Sequence, residues 1–297
     1  MVKQNSTKAW LLASRPKTLT AASIPVMLGC ALAFMYGHFQ LIPAILCFLF
    51  AFLMQIDANF INDLYDYLKG SDREDRLGPE RACAQGWISP SGMKKGILVT
   101  TALAAVTGLF LLGYGGWEMI PVGIACIIFA FLYTTGPYPL AYHGWGDILV
   151  LVFFGFVPVG CTFYVMAHDW NTSVTMASLA CGFVIDTLLM VNNFRDREQD
   201  AISGKKTIVV RLGARAGLIL YFFLLGLAAC WSCFYFVTEG RLWAAILPQI
   251  YLLFHILTTM KMARINRGKE LNAILGETSR NMLLFGILLT AGLLIPA

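Results

Sequence analysis

The sequence predicts an all-α, polytopic membrane protein, a bundle of nine transmembrane helices forming one domain over residues 1–297. Three observations carry that expectation. Of the 297 residues, 58% are hydrophobic and 13% charged, where a soluble chain of this length carries roughly a quarter charged residues. Uncharged stretches of membrane-spanning length recur along the chain. The basic residues fall almost wholly on one side of those stretches.

The nine stretches are 19–37, 41–62, 96–114, 118–135, 147–167, 173–193, 216–238, 242–260 and 280–297. At 1.5 Å per helical residue each can cross about 30 Å of hydrocarbon. Asp57 and Asp186 are the exceptions to otherwise uncharged interiors. A short turn, GYGGWEMIP, separates the third stretch from the fourth.

The connecting segments fix the orientation. Lys3, Lys8, Arg15 and Lys17 precede the first stretch. Lys69, Arg73, Arg76, Arg81, Lys94 and Lys95 follow the second. Arg195, Arg197, Lys205, Lys206, Arg211 and Arg215 follow the sixth. Lys261, Arg264, Arg267, Lys269 and Arg280 follow the eighth. Of all the basic residues only Arg241 falls opposite, so the basic face and the N-terminus are expected in the cytoplasm. The net charge of +5 therefore reads as topology, and no nucleic-acid partner is expected. The bilayer is the partner that the composition demands.

Seven of the eight cysteines lie in or beside apolar stretches. The Cys230-x-x-Cys233 pair reads as small buried hydrophobes. The four histidines make no metal-ligand spacing.

Chemistry is concentrated in two polar clusters. The first is NFINDLYDYLKGSD, residues 59–72; the second is NNFRDREQD, residues 192–200. Aspartate disfavours helix interiors and is costly near lipid, so both clusters need a reason. Asn62 and Asp66 lie four residues apart, with Asn59 on the same side. Asn192, Asp196 and Asp200 also recur every four residues, which lines them along one helical stripe. Each cluster closes an even-numbered span, so both reach the cytoplasmic face, in the manner of a duplicated half. Carboxylates so crowded repel one another unless a cation lies between them. Oxygen-only ligands suit a hard cation, and Mg²⁺ fits best, its shell completed by water and phosphate oxygens. Arg81, Lys205 and Lys206 suit an anion bridged by that metal, such as a diphosphate. A hydrocarbon tail on that diphosphate would lie among the spans. Departure of the diphosphate would leave an allylic cation, which aromatic faces stabilise. Tyr65, Tyr67, Tyr133, Tyr138 and Tyr142 lie near the mouth.

These residues give the chain a resemblance to the UbiA superfamily of intramembrane aromatic prenyltransferases. The stretches that carry it are ASRPKTLTAASIPV at 13–26, NDLYDYLKGSDREDRLGPERACAQGWISP at 62–90, YTTGPYPLAYHGWGD at 133–147 and NNFRDREQDAISGKKTIVVRLG at 192–213. The resemblance spans nearly the whole chain. It implies helices around a central cavity open to the cytoplasmic side, in a bacterial inner membrane, with Mg²⁺ as cofactor. By the same resemblance Asn62, Asp63, Asp66, Asn192, Asp196 and Asp200 hold the metal. Asn62, Asp66, Asp196 and Asp200 are the catalytic set among them. Arg15, Tyr65, Arg81, Asn193, Arg195 and Lys205 face the diphosphate. The general pattern puts a second aspartate four residues after Asp66; here that position is Gly70 and the next aspartate is Asp72. The naphthoate-accepting branch resembles this longer spacing. That branch implies polyprenyl diphosphate and 1,4-dihydroxy-2-naphthoate as substrates, with loss of CO₂ and formation of demethylmenaquinol. A sibling enzyme acting on 4-hydroxybenzoate or another ring is the rival. An ion-coupled carrier is a second alternative, although carriers place their acids near the bilayer midplane.

Overall fold

A computed structural model describes residues 2–70 and 76–296. Among these residues every regular element is a helix. Asp72 lies outside them.

Helix α1 (Thr7–Ser14) begins at Ser6, whose hydroxyl oxygen accepts the Ala9 N–H, and it stops at Arg15. Arg15 adopts a left-handed backbone, φ 50°, a conformation that non-glycine residues seldom enter. The turn Pro16–Thr18 then leads into α2 (Leu19–Met35). Asn59 holds this hinge, donating from Nδ2 to the Ser14 carbonyl and to Thr18 Oγ1, both at 3.0 Å.

Helices α3 (Leu41–Leu68) and α4 (Pro90–Gly115) follow, the latter capped by Ser89 with Pro90 in its first turn. Buried Asp57 ties the two together, accepting hydrogen bonds from Thr100 and Thr101. Next come α5 (Met119–Thr134) and α6 (Gly146–Ala167). Helix α6 widens into π-type turns over Leu151–Gly160, where Pro158 cannot donate to the helical ladder. Helix α7 (Thr172–Ile202) is capped by Asn171. The remaining elements are α8 (Ile208–Val237), α9 (Leu242–Ile265) and α10 (Leu271–Leu294).

Helices α3 and α7 are longer than the membrane's hydrocarbon core is thick. At 28 and 31 residues, α3 and α7 extend about 42 and 46 Å, past the hydrocarbon thickness. The excess turns carry Asn62 and Asp66 on α3 and Asp196 and Asp200 on α7. The aspartates of these excess turns therefore sit beyond the oil, and the cost of burying them in lipid is avoided.

Among the described residues seven helical runs are long and apolar enough to cross a membrane. Nine crossings were expected from the sequence, and the difference has two sources. Helix α5 is apolar but only 16 residues long. Helix α10 has the length, yet Glu277, Arg280 and Asn281 dilute it. The outer surface is greasy, as lipid contact requires: Leu98 is 70% and Trp117 79% exposed, which water would penalise.

The main core gathers Leu28, Leu32, Phe163, Val184, Phe236 and Phe285 from five of the helices. Two smaller cores sit around it. One packs Phe60, Ile61 and Leu64 of α3 against Ala82, Ile88 and Met93. The other packs Phe194 of α7 against Val209, Tyr221 and Met262. The closest helix pair is α6 with α7, where Gly155 faces Gly182. A Cβ on Gly155 would lie 2.6 Å from the Ser178 carbonyl oxygen and 3.1 Å from the Gly182 Cα.

Gly155→Val should therefore force α6 off α7 and destabilise the fold by about 1–3 kcal/mol. The midpoint of thermal unfolding in detergent should fall. Gly113→Ala, at a helical position with open space around it, should leave the midpoint unchanged or higher.

Candidate active site

The overhanging ends of α3 and α7 converge. Between them lies a polar basin of about 280 Å³. Asn62 and Asp66 line one wall; Asn192, Asn193, Asp196 and Asp200 line the other. The basic rim comes from four directions: Arg15 from the hinge before α2, Arg81 from the α3–α4 connection, Arg195 from α7 and Lys205 from the α7–α8 turn. The convergence of two acidic stripes read from four-residue spacing is thus realised.

Each acid already has a basic neighbour. Arg81 Nη2 lies 3.4 Å from Asp66 Oδ2, and Tyr142 reaches Asp66 Oδ1 at 3.5 Å. Arg195 grips Asp196 through two bonds, Nε to Oδ1 at 2.7 Å and Nη2 to Oδ2 at 2.6 Å. Lys205 Nζ stands 3.8 Å from Asp200 Oδ1. Burial works against the charge on Lys205, but the carboxylates of Asp66 and Asp200 outweigh it and hold its pKa above the ordinary value. Lys205 therefore stays a cation across the physiological range. Burial pushes Lys69 the other way, below the ordinary lysine value, against the pull of Asp66. The two ammonium groups flank one ring, 4.8 and 4.9 Å from the centroid of Tyr142.

Two of the expected residues are not in the basin, and helical geometry gives the reason. Asp63 and Tyr65 each point about 80° away from the line through Asn62 and Asp66. Asp63 is 1% exposed. Its Oδ2 accepts the Ala82 N–H and its Oδ1 the Cys83 N–H, each at 2.8 Å. Both oxygens are thereby engaged in pinning the connection that carries Arg81. Tyr65 packs on the small core beneath that connection. In this geometry the two form a foundation for the basin, with Asp63 Oδ2 also 4.0 Å from Arg15 Nη2 on the rim.

Residues that spacing did not single out complete the rim. Arg76, Gln199, Thr134 and Asp147 line the basin. Thr134 bonds the Asn62 carbonyl oxygen, which orients that amide. Asn272 of α10 accepts from Arg195 at 2.9 Å and donates to the Leu77 carbonyl at 2.8 Å. One polar group in the otherwise apolar start of α10 was the available signal for Asn272.

Behind the basin, among the spans, lies an apolar chamber of about 360 Å³, walled in part by Val26, Phe50, Met54, Phe129, Phe153 and Phe154. Thr18, Asn62, Tyr133, Leu189 and Asn192 line both spaces and form the neck between them. An anionic head in the basin would place its attached carbon at this neck, and its tail in the chamber.

The donor set suits Mg²⁺. Asp66, Asp196, Asp200, Asn62 and Asn192 offer oxygen, with no thiolate or imidazole nearby. No three acids, cysteines or histidines cluster as a ready cage among the described residues. That matches a cation which takes one or two carboxylates and fills its shell with water and substrate phosphate.

The fold and the site together define a membrane-embedded enzyme pocket for an amphiphile with an anionic head. The chain belongs to the UbiA prenyltransferase family, whose model matches residues 22–293. It is 35% identical over 97% of its length to the 1,4-dihydroxy-2-naphthoate octaprenyltransferase of Haemophilus influenzae, covering 96% of that protein. It is 38% identical to the Escherichia coli enzyme of the same name, over 80% of this chain and 79% of that one. In structure it resembles a UbiA homolog from Archaeoglobus fulgidus bound to GPP and Mg²⁺, with a TM-score of 0.67, 18% identity and coverage of 97% and 100%.

Asp63→Ala should leave two buried N–H groups without acceptors, at about 1–3 kcal/mol. The Arg81 connection should then be cut early in limited proteolysis. Asp66→Ala should leave that connection as resistant as in the parent protein. Equal protection of both variants would remove the anchoring role of Asp63.

Proposed function

We propose that this protein transfers a polyprenyl chain from its diphosphate to C2 of 1,4-dihydroxy-2-naphthoate with loss of CO₂, giving demethylmenaquinol. It does so in the bacterial cytoplasmic membrane, with the basic face and the N-terminus inward. The observation that carries the reaction class is the neck: a polar, cation-rimmed basin opens there into an apolar, aromatic-walled chamber. The names of the two bacterial relatives support the choice of ring acceptor.

Asp66, Asp196 and Asp200, with Asn62 and Asn192, would hold Mg²⁺. Bound there, the metal supplies charge neutralisation to the leaving diphosphate. Arg15, Arg81, Arg195 and Lys205 bind the phosphate oxygens and stabilise the charge that develops as the C–O bond lengthens. Arg195 also orients Asp196, and Asn272 orients Arg195. The chamber keeps water from the allylic carbon. Phe129, Phe153 and Phe154 offer ring faces to the positive charge. Attack by C2 and departure of CO₂ restore the aromatic ring without loss of a ring proton.

Purified protein in detergent with Mg²⁺, a polyprenyl diphosphate and dihydroxynaphthoate should give prenylated quinol and CO₂ in equal amounts. Chelation of the metal should stop turnover. Asp66→Ala and Asp196→Ala should each lower kcat on the order of 100-fold or more. Replacing the naphthoate by 4-hydroxybenzoate should give no product; efficient turnover of that ring would move the assignment to the sibling class.

A further inference from the structure

One acid on the basin wall has no part in the arrangement above. Asp147 sits in the first turn of α6 and lines the basin. Gly146 before it brings the helix start against the neck: a Cβ there would lie 3.2 Å from Leu189 Cδ2 and 3.6 Å from the Tyr133 hydroxyl oxygen. Asp147 thus stands where basin and chamber join, on the opposite side from the Arg81 connection. Its Oδ1 is withdrawn from solvent and has no hydrogen-bond partner among the described residues. Asp66, Asp196 and Asp200 each have a basic partner; no ion pair to Asp147 occurs among the described residues. Asp147 lies within electrostatic reach of Tyr133 and Asp186, and Tyr133 in turn within reach of Asp66 and Asp200. Asp186, on α7, is 4% exposed, and its Oδ1 also lacks a partner.

A carboxylate oxygen withdrawn from water and left without a donor costs about 1–3 kcal/mol, more when charged. Something must bring it a donor. A diphosphate has only acceptor oxygens at its charged end and repels a carboxylate. A prenyl tail has neither donor nor acceptor. The hydroxyl groups of the proposed dihydroxynaphthoate are donors of the kind this wall lacks. Of the two, the hydroxyl on C1 is conjugated with C2, where the new bond forms; the hydroxyl on C4 is not.

We infer that Asp147 is a catalytic residue that takes the proton of the acceptor's C1 hydroxyl, an inference that rests on the acceptor assigned above. The O–H bond breaks and its proton goes to Asp147. The oxygen's electron pair forms a C1=O bond and pushes the ring π pair from C2 onto the allylic carbon. The C–O bond to diphosphate breaks, and the diphosphate leaves with that pair. The C2–carboxylate bond then breaks, CO₂ departs, and its electrons rebuild the aromatic ring. The C1 oxygen regains the proton from Asp147. The carboxylate ends as it began, and no oxidant or further reactant is needed.

The test compares Asp147→Asn and Asp147→Glu with the parent enzyme on two acceptors. One is 1,4-dihydroxy-2-naphthoate; the other carries halogen on the far ring, which makes the C1 hydroxyl more acidic. Binding of geranylgeranyl diphosphate with Mg²⁺, measured by titration calorimetry, reports folding separately. Asp147→Asn should bind that donor within about twofold of the parent and lose about 100-fold or more in kcat. The loss should shrink at least about tenfold on the halogenated acceptor, because a more acidic hydroxyl needs its base less. Asp147→Glu, which keeps a carboxylate, should recover about tenfold or more of the loss. If Asp147→Asn loses donor binding, Asp147→Glu decides alone: donor binding with the inactivity of a null enzyme overturns the inference. So does an Asn variant with more than about a tenth of parental kcat, or an equal loss on both acceptors. A parent enzyme inactive on dihydroxynaphthoate would instead overturn the proposed acceptor.

Discussion

Charge repulsion organises this molecule. Two helices bring six Asn and Asp side chains into one small space at the membrane edge, where uncompensated acids would drive the helices apart. The fold answers by aiming a cation at each of three of them: Arg81 at Asp66, Arg195 at Asp196, Lys205 at Asp200. Each cation comes from a different connection or face, so the connections fold back over the helix ends. The same cations would serve the diphosphate proposed above, whose negative charge can be traded against that of the acids.

The support beneath this arrangement is rigid in a physical sense. Asp63 nails the Arg81 connection through two backbone N–H groups. Asn59 holds the hinge that presents Arg15. Asn272 braces Arg195 while holding the Leu77 carbonyl. These polar contacts lie outside the reacting space and set the positions of the groups within it, which is where a shift of an ångström is costly to catalysis.

Much of this was legible in the sequence, for reasons that differ by residue. Asn62, Asp66, Asn192, Asp196 and Asp200 were legible because a four-residue repeat on a helix is a statement about direction. Asp63 and Tyr65 lie off the basin wall because a family motif names neighbours in sequence, while the helix sends neighbours to different faces. Asp57 was a puzzle until α4 supplied Thr100 and Thr101. Tyr142 comes from the α5–α6 connection and Asp147 from the first turn of α6, where no repeat precedes them and only tertiary packing assigns a direction. Seven described helices have both the length and the apolarity of a span, against the nine expected, because α5 is only 16 residues long and polar residues dilute α10.

The apolar chamber has a consequence for lipid traffic. With the donor and acceptor proposed above, the ring and the first isoprene units would lie against the aromatic wall of this chamber. A chamber that opens among membrane-spanning helices would grip the reactive end of such a donor and leave its far end to the surrounding lipid. A product so held would leave sideways, by diffusion in the plane of the leaflet.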